Sequence, residues 1–274
     1  MKTLTIVGAG GKMGLRCVEN LASSNYISYY LEINPEAIRR LQEKNITVSL
    51  PDKIAISDIV ILAVPDKAIR EVSREVVPKM KSGALLVTLD PAAPLAGYLL
   101  HRDDLAYYVT HPSHPSVFNW EDSEEAYRDY YGGIKAKQTA VSALMHGEEK
   151  DWQTGDEITK CIYKPVTKNH RLTVEQMAIL EPGFSETLCS TCIKKVREAL
   201  DVVVEKGVPE EAARDFILGH INIQLAVLFN ELPIQFSDAA IKALNRAESI
   251  LFKDDWKLIF EKENIHEQIK AITE

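Results

Sequence analysis

Residues 3–14, TLTIVGAGGKMG, decide the fold of this chain. The run from Thr3 to Val7 is short, apolar and rich in β-branched residues, and a glycine-rich turn joins it to a helical pattern from Leu15 to Leu21. Glycine is needed at such a turn because the backbone takes dihedral angles closed to other residues and approaches a pyrophosphate, which binds the free N–H groups of the helix start. The order of strand, glycine turn and helix therefore predicts a dinucleotide-binding unit.

An acidic residue follows at the distance that such a unit requires. The glycine spacing, Gly8-x-Gly10-x-x-x-Gly14, is one residue longer than the common motif, but Glu32 ends a second strand pattern eighteen positions after Gly14. A carboxylate at this point accepts hydrogen bonds from an adenosine ribose diol and repels a 2′-phosphate. The sequence therefore predicts NAD rather than NADP as the cofactor.

Strand and helix patterns alternate for about the first 110 residues, which is typical of a doubly wound parallel sheet. The expected strands after residue 33 are Ile46–Leu50, Ile56–Val64, Ala84–Leu89, Ala106–Thr110 and Gln138–Met145. The expected helices are Glu36–Lys44, Ala68–Met80, Leu95–Leu100 and Asp151–Tyr163. Ligands of such sheets bind beyond the carboxyl ends of the strands.

The strand patterns stop near Arg171. Residues 172–206, 210–228 and 238–260 carry apolar side chains at three- and four-residue spacing, as helices do. The predicted fold class is α/β, with an N-terminal Rossmann doubly wound sheet followed by an all-α C-terminal domain. We expect an NAD-binding domain with extra strands over residues 1–168 and a helical substrate or dimerisation domain over residues 169–274.

The composition is that of an ordinary globular protein, with 46% hydrophobic and 26% charged residues. The net charge of -8 provides no electrostatic footprint for nucleic acid, and no apolar stretch approaches the ~20 residues that span a bilayer. Four scattered cysteines do not form a disulfide framework. We therefore expect a cytoplasmic protein that binds neither nucleic acid nor membranes.

Two further groups of residues suggest chemistry. His111 and His114 flank Pro112 where a strand should reach the cofactor edge, and imidazole serves as a metal ligand, a substrate ligand or an acid/base group. Glu181 and Glu186 lie in a helical pattern, where their spacing, with Ser185 between them, predicts one shared helix face. Two nearby carboxylates hold a divalent cation or divide into an acid and a base.

The chain resembles the NAD-dependent superfamily of phosphogluconate and β-hydroxyacid dehydrogenases and, within it, the D-apionate oxidoisomerase family. The segments that carry the resemblance are 6–14, 111–115, 165–167, 178–182, 219–222 and 237–240. The resemblance implies a Rossmann domain, a helical C-terminal domain that commonly builds a homodimer, and NAD as the oxidant. The β-hydroxyacid dehydrogenases carry a catalytic lysine on the helix after the nucleotide domain, and residues 181–195 lack that arrangement, which directs attention to His114, Glu181 and Glu186.

The leading hypothesis is an NAD-dependent oxidoreductase for a small polyhydroxy acid, with oxidation coupled to isomerisation as in D-apionate to 3-oxo-isoapionate. A ketol shift needs a Lewis acid, which a divalent metal such as zinc or magnesium supplies. The expected catalytic residues are His114, Glu181, Glu186 and Lys168, with His114 and Glu186 also as metal ligands and Lys168 for the substrate carboxylate. The expected cofactor-binding residues are Gly8, Gly10, Gly11, Lys12, Met13, Gly14, Glu32, Val64, Pro65 and Asp66. The alternatives are a simple keto-acid or imine reductase and a non-catalytic NAD(H)-binding redox sensor.

Overall fold

A computed structural model describes all residues, 1–274, and divides them into two compact units. The first unit contains Met1–Pro182 and His266–Glu274, and the second contains Gly183–Ile265. No helix has both the length and the apolar character needed to cross a membrane.

The first unit is built on one seven-stranded sheet with the order β2-β1-β3-β4-β5-β6-β7. The strands are β1 (Thr3–Val7), β2 (Ile27–Leu31), β3 (Ile59–Leu62), β4 (Leu85–Thr88), β5 (Ala106–Pro112), β6 (Gln138–His146) and β7 (Val166–Arg171). Strands β1 to β5 are parallel, β6 is antiparallel to β5, and β7 is parallel to β6. The doubly wound architecture predicted from the sequence is confirmed.

Helices cover both faces of this sheet. They are α1 (Lys12–Leu21), α2 (Pro35–Glu43), α3 (Asp66–Val76), α4 (Ala92–Leu95), α5 (Glu124–Tyr127), α6 (Glu149–Ile162) and α7 (Val174–Ala178). Every residue of β3 and β4 is buried, as expected for strands covered on both faces. Because side chains alternate along a strand, Ile59 and Ile61 join one apolar core, and Val60 and Leu62 join the other.

The chain reverses its winding direction at β1, which pairs in parallel with β2 on one side and with β3 on the other. In open α/β sheets a crevice forms at such a switch point, outside the carboxyl ends of the strands. Gly8 follows β1 and Ala63 follows β3. The glycine turn therefore lies at the position where this fold binds ligands.

The second unit is helical, as predicted. Its helices are α8 (Thr191–Glu205), α9 (Glu210–Leu228) and α10 (Asp238–Leu251), and the last helix of the chain is α11 (Lys262–Thr273). Helices α8 and α10 contain no buried residue, and α9 buries only Ala213. This unit has almost no apolar core of its own.

Two local predictions were wrong. Residues 46–50 form no strand: only Ser49 bonds the backbone of Tyr30 in β2, and Pro51 then begins a 3₁₀ helix, Pro51–Ile56. The helix expected at 95–100 is instead α4, residues 92–95. Its start is set by Asp90, whose Oδ1 atom accepts a hydrogen bond from the N–H of Ala92 at 2.8 Å.

The expected division at residue 168 does not coincide with the one that the contacts define. Strand β7 runs across residue 168 and belongs to the sheet, and the first unit continues to Pro182. Its sequence, VTKNHR, is too polar to show a strand pattern because β7 lies at the edge of the sheet. The helical pattern over 172–206 is kinked where Pro182 and Gly183 indicate a kink, since Glu181 has non-helical angles, φ −137° and ψ 106°.

Candidate active site

The turn after β1 accommodates only glycine at three positions. A Cβ atom on Gly8, where φ is +84°, would lie 2.6 Å from the carbonyl oxygen of Ala63. A Cβ on Gly10 would lie 2.5 Å from the carbonyl oxygen of Ala37 in α2, and one on Gly14 would overlap the carbonyl oxygen of Gly8. The glycines therefore allow close packing of β1, β3 and the two helices at the crevice.

The start of α1 is suited to an anion. Gly11 is the N-cap and offers no side chain to the first N–H groups, and the first turn contains no acidic residue. These N–H groups and the positive end of the helix dipole attract a phosphate. The dinucleotide pyrophosphate predicted from the sequence fits this position.

Glu32 lies at the other side of the turn, just after β2. Its carboxylate accepts hydrogen bonds from the backbone N–H groups of Gly10 at 3.0 Å, Ile33 at 2.8 Å and Asn34 at 2.9 Å. The guanidinium group of Arg40 donates two bonds to the carbonyl oxygen of Gly10. Glu32 is therefore held at the turn, where a ribose diol would meet a negative charge.

Two clefts of the first unit meet at Val64. One has a volume of about 240 Å³ and is lined by Gly8, Glu32 and apolar residues such as Ile54 and Val72. The other, of about 340 Å³, is lined by residues 11–13, 62–66, 69, 88–90, 111–112, 114 and 131. A dinucleotide with its pyrophosphate at the glycine turn would extend into both clefts, with its adenosine on the Glu32 side.

The larger cleft, referred to below as the catalytic cleft, contains an imidazole next to two carboxylates. Nδ1 of His111 lies 3.0 Å from the carbonyl oxygen of Leu89 and 3.6 Å from Oδ2 of Asp90. Burial, followed by the charge of Asp90, raises the pKa of Asp66 from 3.8 to about 6, and His111 opposes this effect. Asp66 begins α3 after β3, Asp90 follows β4 by two residues, and His111 lies near the end of β5, so all three lie at the carboxyl edge of the parallel strands.

His114 is held in a different way. Its Nδ1 atom lies 2.8 Å from the carbonyl oxygen of Tyr131, and the two rings pack with centroids 4.9 Å apart. A carbonyl oxygen only accepts hydrogen bonds, so Nδ1 of a neutral His114 carries the proton and Nε2 keeps its lone pair. The same argument applies to His111 and Leu89. The cleft therefore contains two imidazoles, each with a free acceptor nitrogen for a proton or a metal ion.

The other three predicted catalytic residues do not line this cleft. Lys168 lies exposed on edge strand β7, and Glu181 and Glu186 fall on opposite sides of the division between the units. The prediction that Glu181 and Glu186 share a helix face was wrong, because the backbone at Glu181 is not helical. Nowhere do three or more His, Cys, Asp or Glu side chains form a group able to hold a metal ion.

Sequence reasoning placed Asp90 at a strand end without giving it a role, and it missed Tyr131. Asp90 follows β4 by two residues, so the rule that ligands bind at strand ends was sufficient to select it. Tyr131 lies in the long connection between β5 and β6, where no periodic pattern indicates which side chain turns inward. That position is fixed by tertiary contacts alone.

Comparisons with known proteins agree with this architecture. Residues 3–95 match the family described as the NAD binding domain of 6-phosphogluconate dehydrogenase, and residues 119–273 match the phosphogluconate dehydrogenase (decarboxylating) C-terminal family. The D-apionate oxidoisomerase of Cupriavidus necator is 47% identical over 98% of this chain and 99% of its own length. That of Rhizobium rhizogenes is 46% identical over the full length of both chains.

A solved structure from Cupriavidus necator, described as a semialdehyde dehydrogenase NAD-binding protein in complex with calcium and NAD, is 46% identical with a TM-score of 0.97. The alignment covers all of both chains. Identity at this level along both units shows common descent of the whole chain rather than of the nucleotide-binding domain alone. The protein therefore belongs to the D-apionate oxidoisomerase family of the phosphogluconate dehydrogenase superfamily, and it is an NAD-dependent oxidoreductase.

Proposed function

We propose that this protein oxidises D-apionate with NAD and couples the oxidation to a rearrangement of the branched sugar acid. The observation that carries the proposal is the end-to-end identity of 46–47% with two D-apionate oxidoisomerases. Because the matches cover both units, they include the segments of the helical unit as well as the cofactor turn. The catalytic cleft, with its polar groups at three strand ends, suits an enzyme better than a sensor.

Oxidation of a secondary alcohol requires a base that takes the hydroxyl proton. NAD, when bound, supplies the hydride acceptor. His114 is a catalytic candidate from the sequence, and we assign it the role of base because its Nε2 atom keeps a lone pair in the cleft. His111 is a second candidate, since Asp90 next to its ring favours the imidazolium that proton transfer creates. Glu181, Glu186 and Lys168 remain proposed contributors from the helical connection and from β7.

A divalent metal, with His114 and Glu186 as its ligands, is an alternative use of the same Nε2 atom, and an ion bound there would leave His111 as the base. The calcium in the related structure from Cupriavidus necator gives this idea support. The side chains of one chain do not complete a metal site, however, so we assign no step to a metal. Metal analysis of the purified protein, followed by the same analysis of His114→Ala and Glu186→Ala, tests it: a bound ion that both variants retain would exclude these two ligands.

We further propose that the protein is a homodimer formed through the second unit. The large apolar side chains of α8 to α10 are exposed, among them Phe216 at 67%, Leu228 at 62% and Leu251 at 73%. Monomeric proteins rarely expose large apolar patches, and three successive helices here expose large apolar side chains. Light scattering should give twice the chain mass, and Phe216→Glu with Leu228→Glu should lower it, whereas a monomeric wild type would contradict the proposal. The cytoplasmic location and the absence of nucleic-acid binding remain predictions.

The decisive experiment is the reduction of NAD with a panel of sugar acids that includes D-apionate, with and without divalent metal. We expect NADH to form with the branched acid, and a rearranged product to be visible by NMR. Oxidation without rearrangement would point to a plain dehydrogenase. Activity confined to keto acids or imines, with NADH as the reductant, would favour the reductase alternative. Tight NADH binding with no turnover of any compound would favour the sensor.

A further inference from the structure

The connection between β5 and β6 is attached along one stripe of α1. Residues 12, 16 and 20 are four apart and therefore share one face of this helix. Nδ2 of Asn20 donates to the carbonyl oxygen of Gly133 at 3.0 Å, and the guanidinium group of Arg16 lies 4.0 Å from Asp129. The helix that begins at the phosphate site thus holds the segment 129–133 along its length.

Tyr131 is the centre of this attachment. Its ring lies 4.2 Å from Nζ of Lys12 and 4.4 Å from Cζ of Arg16, and its hydroxyl group contacts Sδ of Met13 at 2.7 Å. On its other side it contacts His114 through the ring and the carbonyl oxygen. Tyr131 therefore connects the first turn of α1 with the catalytic cleft.

The ring restrains a side chain that is otherwise free to move. Lys12 is exposed, and its four-carbon stem loses considerable rotamer entropy when a ligand fixes the ammonium group. The face of an aromatic ring attracts a cation, and burial raises the pKa of Tyr131, so the ring stays a neutral phenol. The ammonium group lies over the Tyr131 ring, and both residues line the catalytic cleft at the start of α1, whose N–H groups favour an anion.

We propose that Tyr131 is a positioning residue, which holds the ammonium group of Lys12 where it binds an anionic group of the ligand. That anion is a phosphate of the dinucleotide or the carboxylate of the sugar acid. The role goes beyond the proposed reaction, because when the anion is a phosphate, binding of the dinucleotide without turnover reveals it. Tyr131 acts through Lys12 rather than by touching the reacting atoms.

The test is a double-mutant cycle on NADH binding, followed by fluorescence without substrate, with Lys12→Met, Tyr131→Leu and the double variant. We expect each single variant to weaken NADH binding about three- to tenfold, and the double variant to be no weaker than Lys12→Met alone. Both single variants should also make NADH binding less dependent on salt. In each of them the ammonium group of Lys12 is either removed or no longer held next to the bound anion. Tyr131→Phe keeps the ring and should restore most of the affinity that Tyr131→Leu loses.

Tyr130→Leu is the matched control, since this neighbouring tyrosine is 74% exposed. If NADH binding is unaltered but the KM for D-apionate rises in the Lys12→Met and Tyr131→Leu variants, the anion is the substrate carboxylate. Effects on NADH binding that multiply in the double variant would show that Tyr131 acts independently of Lys12 and would overturn the proposal. So would a Lys12→Met variant with unaltered affinity for both ligands. An inactive wild type that binds NADH would refute the proposed reaction but leave this cycle interpretable.

Discussion

Oε2 of Glu32 accepts a hydrogen bond from the backbone N–H of Gly10 at 3.0 Å. This bond joins the end of β2 to the glycine turn, and it fixes a carboxylate at the point where the adenosine ribose of a dinucleotide lies in this fold. We therefore propose that cofactor choice depends on the same side chain that holds the turn.

Glu32→Gln should weaken NAD binding about tenfold or more, because a hydrogen bond to a charged group contributes about 1.5–3 kcal/mol. The affinity for NADP should rise at the same time, since the charge that repels its 2′-phosphate is removed. Titration of both dinucleotides measures the ratio. Glu36→Gln, an exposed acid at the start of α2, is the control. An unchanged ratio of the two affinities would contradict the assignment of Glu32.

Gly10→Ala and Gly11→Ala should differ sharply. The added methyl group on Gly10 meets the carbonyl oxygen of Ala37 at 2.5 Å, whereas on Gly11 the nearest atom is 3.4 Å away. Overpacking of this kind costs about 1–3 kcal/mol, so urea unfolding should show that loss for Gly10→Ala and little change for Gly11→Ala. NADH binding should also fail in Gly10→Ala. Equal stability of the two variants would mean that α2 is free to move away from the turn.

Asp66→Asn should change how stability depends on pH. Because the pKa of Asp66 rises from 3.8 to about 6 on folding, the folded chain binds more protons than the unfolded chain between these values. The free energy of unfolding therefore falls as the pH rises from about 4 to 6, by on the order of 1 kcal/mol after allowance for partial exposure. Asp66→Asn should be more stable than the wild type at pH 7 and equal to it near pH 4. Asp52→Asn, whose side chain is 66% exposed, should show no such difference.

His111→Gln and His114→Gln separate the two candidate bases. Loss of a general base lowers kcat by about 10²- to 10⁴-fold, while NADH binding by fluorescence stays close to normal. Asp90→Asn should also lower kcat if His111 is the base, since the carboxylate 3.6 Å from Nδ1 of His111 is lost. His101→Gln, an exposed histidine beside Asp103, is the control. If both cleft variants keep near-normal kcat, neither imidazole is the base.

The sequence predicted those elements whose pattern of apolar residues or turn residues matches the way they are buried in the fold. The buried runs of β3 and β4, the glycine turn and the helices α9 and α10 all have strong periodicity or turn chemistry. Strand β7 was missed because an edge strand does not need apolar residues. The break at Glu181 is indicated by Pro182 and Gly183, but the apolar periodicity continues across it, so spacing alone does not show that Glu181 and Glu186 lie on different faces.

In the candidate site too, some residues could be predicted from local sequence and others could not. The cofactor turn and the strand ends are consequences of the sheet order, so Val64, Pro65 and Asp66 could be selected from sequence. Tyr131 could not, because its contacts with Lys12 and His114 join residues more than fifteen positions apart. The relation between Glu181 and Glu186 also depends on backbone angles that no spacing rule provides.

The polar sequence of β7 has a consequence for solubility. An exposed edge strand offers unpaired N–H and C=O groups to other chains, and charged side chains at such an edge discourage pairing. Lys168 lies exposed in this strand, and Arg171 forms an ion pair with Glu149 at 2.7 Å. Whatever Lys168 contributes to substrate binding, its charge protects an open sheet edge from strand addition. The charge therefore hinders aggregation in which the sheet of one molecule adds strands from another at this edge.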